Sequence, residues 1–98
     1  MVDEKLLKMC QDYIYAVFLC MITDSEAAAD NYRIKIHLKM LEHIKKNYSI
    51  EEKNLENILH NLNKYIGLPL LKKGDDFHSR DIEIYGRKLY EKIMELRR

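Results

Sequence analysis

Residues that interrupt helices are scarce in this chain of 98 residues. It has three glycines and one proline, and all four lie between Gly67 and Gly86. Glycine and proline are the residues that most strongly punctuate regular structure. Because nothing between Met1 and Ile66 readily breaks a helix, the sequence predicts an all-α fold. The expected architecture is a compact four-helix bundle with one irregular loop at about residues 67–79.

Long apolar runs are also missing. The longest, from Tyr13 to Ile22, is well short of the roughly 18 residues that a bilayer requires. Its flanks do not resemble a secretory signal, since residues 3–5 are mixed in charge and residues 23–26 are a poor cleavage region. The sequence therefore predicts a cytoplasmic protein that forms one helical domain over residues 1–98 and has no membrane partner.

Cysteine is nearly absent too, with only Cys10 and Cys20. Ten helical residues separate two positions by about 15 Å along the axis, which a disulfide within one helix does not bridge. We expect two reduced core thiols, and an intermolecular disulfide is the alternative. The formal net charge of +1 gives no global electrostatic case for nucleic acid or anionic lipid.

The first predicted helix runs from about Asp3 to Ile22. Apolar residues recur along it at spacings of three and four, as on one face of a helix. From Tyr15 onward the pattern becomes apolar all round, so this half must be covered on every side. Either it is the central helix of the bundle, or another chain covers one of its faces.

The second predicted helix runs from Ser25 to about Lys46, and Thr23 with Glu26 has the spacing of a capping box before it. A continuous helix through both segments would have about 44 residues and would be rare, so two helices are preferred. Two sets of apolar residues fit the helical period of this segment: Ile34, Leu38 and Leu41, and Ile36, Met40 and Ile44.

The third predicted helix spans about Ile50 to Ile66, with Ser49 and Glu52 as its capping box and Gly67 as its C-terminal cap. Residues 68–78 are irregular, and a short hairpin there is left open. The last helix spans about 79–98, with Ser79 as its N-cap. Gly86 lies on its buried side, where it would allow a neighbouring helix to approach closely.

Catalytic, metal and cofactor motifs are not recognisable. His37 and His43 are six residues apart, whereas zinc pairs on one helix favour a spacing of four, so we expect the four histidines to be structural. Residues 78–81 combine a histidine, a serine and an aspartate, but adjacent positions rarely converge on one substrate atom. No catalytic residue, metal ligand or cofactor site is therefore assigned, and a small enzyme with a polar pocket around His37 or His78 is the least favoured class.

A nucleic-acid-binding regulator is the alternative function. Lys35, Lys39 and Lys46 share one side of the second helix and could contact phosphates. Three helices followed by a hairpin and another helix would also suit a winged helix. Carboxylates on the third helix would repel a duplex, however, and such a row of lysines is more often a solvated face.

The apolar surplus of the first helix is the main indication of function. A bundle needs an apolar stripe of about 100° from each helix, and this helix offers more. The sequence thus predicts a non-enzymatic helical protein-interaction module that forms a homodimer or binds, neutralises or regulates a protein partner. A central position of the first helix in the bundle would explain its apolar surplus equally well. The predicted interface consists of Tyr15, Phe18, Leu19, Ile22, Ile84 and Met94.

Overall fold

The structure is a computed structural model that describes residues 1–23 and 26–97. Within these residues the regular structure consists of five helices. They are α1 (Glu4–Ile22), α2 (Ala27–Asn47), α3 (Glu52–His60), α4 (Leu62–Ile66) and α5 (Ser79–Met94). No strand occurs in these described ranges. The predicted all-α bundle is therefore confirmed, with the expected third helix divided into two.

Helix α1 lies at the centre of the packing. Helix α2 runs antiparallel to it, because Asp3 pairs with His43 at one end and Cys20 with Asp30 at the other. Helix α5 is also antiparallel to α1, and both α2 and α5 pack extensively against it. Seven α1 side chains are buried: Leu6, Leu7, Cys10, Tyr13, Ile14, Ala16 and Phe18. Most of α1 is therefore central in the bundle, which was one of the two expected explanations for the apolar surplus of this helix.

The start of α1 agrees with the sequence, whereas two predicted capping boxes were wrong. Asp3 caps α1 by accepting a hydrogen bond from the backbone N–H of Leu6. Thr23 ends α1 instead of starting α2, because its hydroxyl donates to the carbonyl of Leu19. Glu26 is the N-cap of α2, and the Asp24 and Ser25 part of the predicted start signal lies outside the described residues.

Asn61 is the reason why the third predicted helix is divided. Its side-chain amide donates to the carbonyl of Asn57 at 2.9 Å, the acceptor that its own backbone N–H would use in a continuous α-helix. The backbone N–H bonds Ile58 instead, and the residue leaves helical geometry at φ −132° and ψ 47°. The helix also begins two residues later than predicted, with Glu51 instead of Ser49 at the N-cap.

The connection to α5 behaves as a loop with one turn. Gly67 caps α4 in the left-handed conformation at φ 65°, as predicted. A turn at residues 73–74 replaces the hairpin that was left open, so the wing of a winged helix is not formed by the described residues. His78, one residue before Ser79, is the N-cap of α5, and this helix ends at Met94. No helix in the described ranges is long and apolar enough to cross a membrane.

Candidate binding surfaces

The predicted interface on α1 is only partly available at the surface. Phe18 is 1% exposed, and its ring stacks on that of Phe77 with the centroids 5.2 Å apart. Phe18 therefore belongs to the core, which corrects its assignment to an interface. Leu19 and Ile22 are half-buried. Tyr15 is 37% exposed, but Phe77 contacts its ring edge-on at 5.4 Å and so covers part of it.

The two predicted interface residues of α5 do not join Tyr15 in one surface. Gly86 faces α1, since a Cβ placed on it would come within 2.5 Å of Gln11 Cγ. Ile84 precedes Gly86 by two residues, which is about 200° around the helix, and it is 41% exposed on the far side from α1. Met94 is half-buried against the core. The six residues predicted from sequence are thus distributed over separate faces.

Helix α2 has an exposed apolar stripe that the sequence did not distinguish from the core. Its buried residues are Ile36, Met40 and Ile44. Ile34 and Leu38 lie about 140° further around the helix and are 45% and 58% exposed. Two apolar stripes on one helix were visible in the spacing of the residues. The spacing did not show which of the two stripes the rest of the chain would cover.

A groove of about 640 Å³ opens between α1, α2, the break at Asn61 and the loop after α4. Arg33 of α2 lies at its wall, near the Tyr13 hydroxyl and the Cys20 thiol of α1. Burial alone would lower the pKa of Arg33, but its interactions with Tyr13 and Cys20 raise that pKa, so the guanidinium stays charged. Much of the remaining wall is aliphatic: Val17, Met21, Leu59, Leu62, Leu68 and Leu70.

The thiols are not arranged as nucleophiles. Burial strongly raises the pKa of Cys10. Burial, followed by a hydrogen bond from Sγ to Asp30 Oδ1 at 3.4 Å, also raises the pKa of Cys20. A raised pKa keeps the thiol protonated, and the protonated thiol is the unreactive form. Both cysteines are unpaired in the structure.

Histidines link the helices through carboxylates. His37 Nε2 of α2 lies 2.8 Å from Glu56 Oε1 of α3, and His60 Nε2 lies 3.5 Å from the other oxygen of Glu56. His43 Nε2 lies 2.8 Å from Asp3 Oδ2. Residues 1–23 and 26–97 hold no group of three or more side chains that could bind a metal ion. His37 and His43 thus tie α2 to neighbouring elements, whereas the His60 contact lies within α3.

The segment 78–81 begins a helix. The Asp81 carboxylate accepts a hydrogen bond from the backbone N–H of His78 at 3.2 Å. That contact satisfies a donor at the start of α5 and places the acidic side chain in the first turn, where the helix dipole favours it. The geometry thus gives Asp81 a capping role.

The predicted phosphate-contacting lysines are divided between two places. Lys39 and Lys46 line a cleft of about 350 Å³ together with Lys5 of α1, which the sequence did not associate with them. Glu42 and His43 line the same cleft. Lys35 is exposed outside it. Three lysines against one glutamate make the cleft basic, although less so than a row of lysines alone.

Comparison of the chain with protein-family models, with curated proteins and with solved structures finds no match.

Proposed function

We propose that the protein is a non-enzymatic, cytoplasmic helical interaction module that forms a homodimer through the outer side of α2. The observation that carries the proposal is the exposure of Ile34 and Leu38, one helical turn apart on a helix whose core-facing stripe lies elsewhere. Large aliphatic side chains next to one another at a surface favour association, because burying apolar area stabilises by about 25 cal/mol per Å².

The outer side of α2 is open to a partner. Among the described helices, α2 packs extensively on α1 alone, and its link to α3 is polar, through His37 with Glu56 and Lys45 with Glu52. Within residues 1–23 and 26–97, the Lys45 ammonium on this side of α2 pairs with Glu52 of α3, while Ile34 and Leu38 stay exposed. A second helix could therefore lie along this stripe without displacing any of the described residues.

The charges beside the stripe favour a second copy of the same helix. Lys35 and Glu42 are both exposed and lie on the same side of the stripe, seven residues apart. When two copies of α2 pair antiparallel about Leu38, Glu42 of one copy comes next to Lys35 of the other, and the symmetry makes this contact twice. With a net charge of only +1, two copies also repel each other little.

The state of the titratable side chains supports a binding role over catalysis. Both thiols have raised pKa values, and the carboxylates of Asp3, Glu56 and Asp81 accept contacts that join or cap helices. A catalytic acid or base needs a substrate-facing group whose pKa suits proton transfer. These groups are used in holding the fold together.

The test is solution mass by light scattering across a concentration series. We expect wild type to approach twice its chain mass of 11.8 kDa at about 100 µM, since small interfaces have micromolar affinity. Leu38→Lys should weaken the dimer at least about tenfold by placing a charge in the interface. Leu70→Lys is the matched control, because Leu70 is 77% exposed but lies in the loop after α4. It should leave the dimer unchanged.

Two outcomes would contradict the proposal. A wild type that stays monomeric over the whole series removes the dimer. A dimer that survives Leu38→Lys but dissociates in Tyr15→Lys moves the interface from α2 to α1.

The cleft of Lys5, Lys39 and Lys46 supports the second candidate, a nucleic-acid-binding regulator. Lysines from two helices facing one cleft can bind successive phosphates, with a strong dependence on salt. Binding of labelled duplex DNA that weakens steeply with salt and is lost in Lys39→Gln would favour it. Indifference to DNA at low salt would remove it.

A further inference from the structure

The groove between α1, α2 and the break at Asn61 has the dimensions and the lining of a small-molecule site. Its volume of about 640 Å³ lies within the range of roughly 300–1,000 Å³ that is typical of ligand pockets. Such pockets are mostly apolar and contain a few polar groups that fix the orientation of the ligand. Here six of the fourteen lining residues are aliphatic, and Arg33 and Asp30 are the charged groups that lie half-buried among them.

Arg33 has an unusual electrostatic environment for a half-buried cation. Among residues 1–23 and 26–97, no carboxylate oxygen lies within 4.0 Å of its guanidinium. Its neighbours are the neutral Tyr13 hydroxyl and Cys20 thiol. Asp30, one turn earlier on α2, accepts instead from Cys20. A partly buried cation that forms no direct ion pair, even with the nearby Asp30, retains binding capacity for an anion.

We infer that this groove binds a small apolar carboxylate, with the carboxylate at Arg33 and the hydrocarbon portion along Val17, Met21 and Leu62. A guanidinium presents a planar fork of donors that matches a carboxylate in two parallel hydrogen bonds. The hydrocarbon portion gains from leaving water against the aliphatic wall. The ligand class is that of medium-chain fatty acids, in which both features occur in one molecule.

The charge balance selects a singly charged ligand. One guanidinium neutralises one negative charge, so a carboxylate fits and a doubly charged phosphate is under-neutralised. Lys64, at the rim, holds its ammonium 5.6 Å from the centre of the Tyr65 ring, which directs it toward that ring. Asp30 in the same wall further disfavours a second negative charge.

The experiment is calorimetric titration of the full chain with decanoate, in parallel with decyltrimethylammonium as a cation of equal chain length. We expect decanoate to bind with one site per chain and the cation to bind at least about tenfold more weakly. Arg33→Gln should weaken decanoate by a similar factor. Lys39→Gln is the matched control, because it removes one exposed positive charge from the same helix at a position outside the groove.

Folding of each variant is followed by circular dichroism, and Arg33→Lys provides a second variant that keeps the charge but not the fork. This variant should bind decanoate with an affinity between those of wild type and Arg33→Gln. Equal binding of decanoate and the cation, equal loss in Lys39→Gln and Arg33→Gln, or no heat of binding to folded wild type would each overturn the inference.

Discussion

At the scale of single residues, Asp3 makes more long-range connections than its position near the start of the chain suggests. Its carboxylate lies 2.8 Å from His43 Nε2, accepts from the Tyr48 hydroxyl at 2.6 Å and from the Leu6 backbone N–H at 3.0 Å. Its own backbone N–H donates to the Tyr90 hydroxyl at 2.8 Å. The side chain of Asp3 thus joins the start of α1 to the end of α2, and its backbone N–H adds a contact with α5.

The contacts of Asp3 change the pKa of its carboxyl group. Burial alone would raise its pKa, but the hydrogen bonds from His43, Tyr48 and Leu6 outweigh it and lower the pKa to about 2. The hydrogen bond that Tyr48 donates to Asp3 in turn raises the pKa of Tyr48 to about 12. Since the folded pKa of Asp3 lies below its unfolded value of 3.8, the ionised form stabilises the fold above about pH 4. This stabilisation is lost as the pH falls from there through about 2.

We predict that Asp3→Asn lowers the free energy of unfolding by about 1–2 kcal/mol at pH 6, allowing for partial solvent screening. The difference from wild type should shrink strongly as the pH falls to 2, where about half of the wild-type Asp3 carboxyl groups are protonated. Urea unfolding at the two pH values measures it. Asp76→Asn, in the exposed part of the loop, is the control and should change stability by less than about 0.5 kcal/mol at both. A difference that does not depend on pH would contradict the ionic role of Asp3.

At the scale of elements, the sequence predicted only part of what depends on local backbone chemistry, since both capping boxes and the N-cap at Ser79 were wrong. The end of α1 at Ile22 and the left-handed cap at Gly67 follow from residues adjacent in the chain, and both are observed. Asn61 is a local signal too, because asparagine competes with the helical hydrogen bond, but a single asparagine within a clean apolar stripe is weak evidence for a break. Which side chains are exposed was harder to predict from the sequence, because the burial of Phe18 depends on Phe77, which is 59 residues away in sequence.

The contact between α1 and α5 gives a prediction for this pair of helices. Replacing glycine with alanine inside a helix usually stabilises by up to about 1 kcal/mol. At Gly86, however, the new Cβ would lie 2.5 Å from Gln11 Cγ and 2.9 Å from Gln11 Cα, so the two helices would have to move apart. We expect Gly86→Ala to lower the free energy of unfolding by about 1–3 kcal/mol in denaturant titration.

A second substitution identifies the cause. Gln11→Ala removes Cγ but keeps Cα, so in the Gly86→Ala background it should restore only part of the lost stability. Arg87→Ala, at the exposed neighbouring position of α5, is the control and should stay within about 0.5 kcal/mol of wild type. A Gly86→Ala protein as stable as wild type would show that the helices adjust without cost.

At the scale of the whole molecule, the helices are unequally anchored. Helix α1 buries seven side chains and contacts both α2 and α5, whereas α2 buries three side chains over 21 residues and packs extensively on α1 alone. The groove is likewise a property of the whole molecule, since the residues that line it lie between Tyr13 and Leu70 in the sequence and come together only when the chain folds. The spacing of apolar residues along the sequence gave no indication of the groove, because this spacing describes one helix at a time and does not show which helices lie next to each other.

This inequality leads to a prediction that couples folding with assembly. Local opening has the lowest free energy where the fewest apolar contacts are made, so α2 amides should exchange hydrogen faster than α1 amides in the dilute protein. If two copies pair through Ile34 and Leu38, α2 gains a second partner, and mass action should raise its protection with protein concentration. Amides of α5 should not change over the same series. Hydrogen exchange at about 1 µM and about 200 µM, read segment by segment, measures both effects. Protection that rises in α1 or α5 instead would place the dimer contact there, and α2 would then simply be less firmly held than α1.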